Sequence, residues 1–160
     1  MQKVTLISVG RLKEDFFKLA EKEYVKRLGS FCDLKIIEVT QQQLPTNPSN
    51  GQIEAALTAE ADEILSKIPK GSEIISLCIE GKLYSSEELC EIIEGNANVG
   101  SGSVTFIIGG SFGLSEKIKS KSKIRLSMSK MTFPHRLARV MLLEQIYRAY
   151  QIKTGSRYHK

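Results

Sequence analysis

Histidine occurs only twice in this chain, at 135 and 159, cysteine three times, and no Cys-x-x-Cys pair exists, so no ligand set for a structural metal is visible. Cys32, Cys78 and Cys90 are odd in number, far apart and set in apolar patterns, which reads as buried thiols in a reducing compartment, not a disulfide framework. The longest apolar runs are about five residues, against the ~20 that span a bilayer. Met1-Gln-Lys-Val-Thr-Leu does not read as a signal peptide, and a soluble cytoplasmic protein without a membrane partner is expected. Gly-x-Gly-x-x-Gly and Gly-x-x-x-x-Gly-Lys-Ser/Thr are both missing, which disfavours a Rossmann dinucleotide site and a P-loop.

Acidic residues are scarce in one half. Residues 1–80 carry 10 Lys and Arg against 12 Asp and Glu, residues 81–160 carry 13 against 6, and no aspartate follows Asp62. Residues 115–160 hold 12 of the 23 basic side chains and only two acids, Glu116 and Glu144. Such an end attracts a polyanion such as RNA through salt-sensitive phosphate contacts, although a solvated basic face has the same composition.

The 160 residues suit a single domain, 1–160, able to bury roughly 70% of its unfolded surface. Val4–Val9, Leu34–Val39, Ile74–Ile79, Val104–Ile108 and Ile124–Ser127 read as short apolar strands. Helical spacing marks Asp15–Leu28 and Ile53–Ile68, a Ser85…Glu88 capping box opens a helix to about Ala97, and a short lysine-rich helix begins at Ser115. Residues 41–51 form a polar loop, and Pro134 leads into a long helix from His135 to Lys153. Strands alternating with helices predict a doubly wound α/β domain with a mostly parallel sheet covered by helices. Both faces of helix 135–153 are apolar enough to pack, which favours a homodimer over a helix buried in a monomer.

The turn Gly109-Gly-Ser-Phe-Gly-Leu114 follows a buried strand, where missing Cβ atoms let main chain approach a ligand; a tight turn alone needs the same residues. Gly81 ends a second strand and Met128–Phe133 follows a third, so three loops meet at one sheet edge, where open α/β sheets bind ligands. His135 at a helix start is either a functional imidazole or a packed cap. Arg136, Arg139 and Arg148 suit phosphate, or simply pair with Glu144. The ending Tyr158-His159-Lys160 combines a stacking ring, a titratable imidazole and a cation at a position that is normally frayed.

Together Ile107-Ile-Gly-Gly-Ser-Phe-Gly-Leu114, Ser127-Met-Ser-Lys-Met-Thr-Phe-Pro-His135, Leu143-Glu-Gln-Ile-Tyr-Arg-Ala-Tyr150 and Tyr158-His159-Lys160 resemble the bacterial large-subunit ribosomal RNA pseudouridine N3-methyltransferases of the SPOUT class. The likeness runs the whole chain, from Val9-Gly10-Arg11-Leu12-Lys13 onward. It implies a C-terminal trefoil knot within about 74–160 that binds S-adenosylmethionine, in an obligate homodimer; nothing in periodicity distinguishes a threaded chain. By the same resemblance, cofactor contacts fall on Leu77, Gly109, Met128, Ser129, Lys130, Met131, Thr132 and Phe133.

The implied reaction transfers a methyl group to N3 of a pseudouridine in 23S ribosomal RNA, in the large subunit or whole ribosome. His159, Tyr158 and His135 are then the catalytic candidates, the two histidines being the side chains there whose ordinary pKa suits a general base. Arg139, Arg148, Arg157, Lys160 and the lysine run are the RNA-binding candidates. A non-catalytic RNA- or ribosome-binding protein of the same fold is the rival reading, and a small-molecule methyltransferase a weaker third.

Overall fold

A computed structural model describes residues 1–160. Its elements run β1 (Gln2–Val9), α1 (Asp15–Leu28), β2 (Cys32–Val39), α2 (Asn50–Lys67), β3 (Glu73–Leu83), α3 (Ser86–Ala97), β4 (Ser103–Ile108), α4 (Glu116–Lys119), β5 (Ile124–Ser127) and α5 (His135–Lys153). The five strands form one parallel sheet in the order β2-β1-β4-β3-β5. Every residue of central β4 is buried, as the continuous apolar run required.

Two apolar layers cover the sheet. On one face Leu28 of α1, Leu89 and Ile93 of α3, and Leu142, Leu143 and Ile146 of α5 close over Val4, Leu6 and Phe106. On the other, Ala61 and Ile64 of α2 and Ile118 of α4 close over Ile7, Val9 and Ile107. Each fully buried Leu, Ile or Phe among these stabilises the fold by about 1.5–3 kcal/mol.

Two boundaries depart from the sequence expectation by three residues or more, while α5 begins where expected. Helix α2 begins at Asn50, not Ile53, because Ser49 accepts from the Gln52 N–H while the Gln52 side chain accepts from the Ser49 N–H. Strand β3 does not stop before Gly81 but runs to Leu83: after a register shift, Lys82 and Leu83 pair with Leu126 and Ser127. Gly81 is therefore a point of close approach rather than a ligand loop, since a Cβ there would collide with the Arg125 carbonyl. Pro134 is the N-cap of α5 and His135 its first helical residue.

Candidate functional site

At the carboxyl ends of β4, β3 and β5 lies a cavity of 780 Å³, within the range that holds drug-sized ligands. Parallel pairing of these neighbours sets the irregular stretch of β3 between Leu77 and Lys82 beside the loops after β4 and β5. Leu77, Cys78 and Ile79 supply one wall, Gly109–Leu114 a second, and Ser127–Met128–Ser129 with Met131–His135 a third.

The glycine turn is held by its own backbone. Gly110 and Gly113 form a bridge, the Gly113 N–H donates to Gly110 O at 3.0 Å, and Gly113 has φ +79°. A Cβ at Gly109 would overlap the Gly113 carbonyl and crowd Leu114. The loop after β5 is braced by Ser127 Oγ donating to Ser129 O at 3.1 Å and by Ser129 Oγ accepting from the Met131 N–H at 3.0 Å. Lys130, expected among the cofactor contacts, is exposed and does not line the cavity, while Leu77, Gly109, Met128, Ser129, Met131, Thr132 and Phe133 do.

Four titratable side chains reach the lining: Cys78, Glu80, Lys119 and His135. Lys119 and Glu80 pair with each other, and the lysine's hydrogen bond holds the Glu80 carboxyl below its ordinary range. Burial pushes the Cys78 thiol up, so it stays protonated. His135 is pushed down, first by burial and then by the neighbouring Arg136 charge, against an opposing pull from Glu14. Its Nε2 is buried and without a hydrogen-bond partner. The lining is thus electrically quiet, with a neutral imidazole as its free basic group.

The tail folds elsewhere. Tyr158 OH donates to Glu144 Oε1 at 3.1 Å, its ring meets Tyr147 edge-on at 5.0 Å, and the Arg148 guanidinium sits 4.8 Å from its centre. Arg148 Nη1 lies 3.2 Å from His159 Nδ1, and His159 Nε2 lies 2.6 Å from Glu87. Arginine can only donate, so Nδ1 accepts and Nε2–H donates to Glu87, which engages both ring nitrogens. Arg148 stands roughly 20 Å along α5 from His135, so this arrangement does not bring Tyr158 and His159 into the chain's own cavity.

Several expected RNA contacts are occupied. Arg139 is 3% exposed, with Nε and Nη2 on Glu21 (2.6 and 2.8 Å) and Nη1 on Glu38 (2.8 Å); a guanidinium so enclosed ties α5 to α1 and β2 and does not face phosphate. Leu142 and Leu143 follow it at i+3 and i+4, so its place on the buried stripe of α5 was readable in the sequence. Arg148 is paired with Glu144 at 2.8 Å, Lys117 with Asp62 at 2.6 Å and Lys123 with Glu73 at 2.6 Å. Arg157 and Lys160 are exposed and unpaired. Missed altogether was the contact of Arg136 with Glu14 (3.2 Å) and with the carbonyl of Arg11 (3.2 Å), which no local spacing signals.

A family profile described as a predicted SPOUT methyltransferase matches residues 2–159. A protein of Lactococcus lactis subsp. cremoris is 45% identical over 158 residues, covering 99% of each chain. One of Clostridium botulinum is 47% identical over 157 residues (98% of this chain, 99% of the relative), and one of Clostridioides difficile is 45% identical with the same coverage. All three bear the name ribosomal RNA large subunit methyltransferase H. A solved structure of a probable methylase family protein from Haemophilus influenzae superposes with TM-score 0.57 at 13% identity, over 99% of this chain and 71% of that one, which concerns the fold.

Proposed function

Because this chain belongs to the SPOUT methyltransferase family, we propose that its cavity binds S-adenosylmethionine and that it methylates N3 of a pseudouridine in 23S ribosomal RNA on the large subunit. The observation that carries the reading is the cavity itself: main chain of the glycine turn on one side, an apolar loop on the other, and no unpaired charge between. Relatives named as ribosomal RNA methyltransferases across nearly their full length favour turnover over the non-catalytic alternative.

The residues fit the cofactor. Leu77, Met128, Met131 and Phe133 offer apolar walls for an adenine, and Gly109 and Gly113 leave main-chain groups uncovered. When bound, S-adenosylmethionine supplies a methyl group activated by a sulfonium. The chain must orient the uracil ring in line with that group and accept the N3 proton as the nitrogen bonds carbon. Positioning of this kind supplies ~7–11 kcal/mol and a general base roughly 10²–10⁴-fold. We assign the proton acceptor to neutral His135, which lines the cavity.

The tail serves a cavity only in a second copy. A homodimer is supported by α1, whose Phe16 and Leu19 are 64% and 67% exposed beside α5, where Leu137, Val140 and Met141 are half-buried. In that assembly Tyr158 and His159 would leave the Glu144, Arg148 and Glu87 contacts to stack on or hydrogen-bond the target ring. The family's trefoil knot over about 74–160 belongs to the same proposal. Sedimentation should give about twice the 17.9 kDa of one chain at micromolar concentration; a monomer alone would remove the shared site.

Calorimetry tests the cavity. S-adenosylmethionine should bind, NAD and ATP should not, and Gly109→Val should abolish binding because the side chain cannot clear the Gly113 carbonyl. Normal binding by that variant would relocate the cofactor.

A further inference from the structure

Most of the basic charge that the second half of the sequence offers is neutralised: Lys117, Lys119, Lys123, Arg125, Arg136, Arg139 and Arg148 each meet a carboxylate. RNA must find its phosphate contacts among cations without such partners, and they must lie at the sheet's carboxyl edge, where the cavity opens. Three sequence positions meet both conditions without being held over an aromatic ring, as Lys82 is over Tyr84: Arg11 and Lys13 in the loop after β1, and Lys130 after β5.

The loop after β1 is also built to hold still. Gly10 turns it with φ +87° while its N–H donates to Val39 O at 2.8 Å, and a Cβ at that glycine would lie 4.0 Å from His135 Nε2. Leu12 is buried between two exposed cations, so Arg11 and Lys13 both project outward. Their Cα atoms are no more than about 7 Å apart, comparable with the step between neighbouring phosphates on one strand. Arg136 then clasps the loop to the first turn of α5, donating to Arg11 O and pairing with Glu14. Asp15, exposed in the first turn of α1, is the one unpaired carboxylate beside them, where the helix dipole favours it.

We propose that Arg11 and Lys13 form a phosphate clamp that holds the RNA strand next to the target nucleotide at the His135 end of the cavity, with Lys130 facing it across the mouth. The proposal rests on the methyltransferase reading. The sequence motif Val9-Gly10-Arg11-Leu12-Lys13 acquires a purpose by it, and the clamp positions the substrate without touching the cofactor.

The test compares native chain, Arg11→Gln, Lys13→Gln, the double variant and Lys70→Gln on large ribosomal subunits from a strain lacking this chain. Lys70 is an exposed, unpaired cation at the opposite sheet edge. For each lost phosphate contact the slope of log affinity against log salt should shrink by roughly 0.7–0.9. The double variant should raise KM for subunits about tenfold or more, with kcat at saturating subunits and S-adenosylmethionine affinity unchanged. Arg11→Lys, which keeps the charge, should restore the slope, and Lys70→Gln should match the native chain. An unaltered slope and KM in the double variant, or an equal loss in Lys70→Gln, overturns the clamp. Failure of the native chain to methylate subunits overturns the methyltransferase reading itself.

Discussion

Partial burial of the ring and the guanidinium next to it keep His135 neutral, which makes it a proton acceptor at neutral pH without any activating partner. Because its pKa lies below the ordinary value near ~6.5, the base form is complete above that value and is lost only as pH falls through the lowered one. Its contribution to stability follows the same sign, present above ~6.5 and declining in acid. His135→Gln should lower kcat by roughly 10²–10⁴-fold and erase the acid limb of the pH profile while leaving S-adenosylmethionine affinity near native. A variant with native turnover from pH 6 to 9 would transfer the base to solvent or to His159. At this scale the sequence was informative about glycines and less so about charges. Gly109 was legible as a position without room for a side chain, because a tight turn after a buried strand calls for glycine. The pairing of Arg136 with Glu14, or of Lys119 with Glu80, depends on chain segments 122 and 39 residues apart and leaves no local trace.

Among the elements, α5 carries the tail as a docked strap. Tyr158 contributes a hydrogen bond to Glu144, an aromatic edge contact and a cation–π contact, each worth about 0.5–1.5 kcal/mol at a partly exposed site. Deleting Tyr158-His159-Lys160 should therefore lower Tm by a few degrees, unlike removal of a frayed end, and should cut RNA methylation by about 10²-fold with cofactor affinity kept. Thermal melts together with calorimetry check this; a deletion that retains full methylation would reduce the tail to a structural strap. Helix α3 was readable to the residue from its capping box, and α5 from Pro134 and Gly155. Strand β3 was cut short in the sequence reading because Gly81 resembles a terminator. Only the neighbouring β5 explains why the strand continues to Leu83.

For the whole molecule, the sheet order β2-β1-β4-β3-β5 decides which loops meet, and no periodicity predicts that order. Apolar β4 announced its burial, and the glycines after it fall where the cavity opens; that β3 and β5 bring Leu77 and Met128, Ser129, Met131, Thr132 and Phe133 to the same cavity followed from the parallel pairing. The tail's distance from its own cavity is likewise a property of the assembled fold, since docking on Arg148 fixes it far from His135. The most direct measurement is methyl transfer itself: large ribosomal subunits from a strain lacking this chain, incubated with purified chain and S-adenosylmethionine, with the modified nucleotide located by mass spectrometry. The account predicts one added methyl on N3 of a single pseudouridine in 23S ribosomal RNA, and none with Gly109→Val. Absence of transfer by the native chain, or methylation of a different atom, would contradict it.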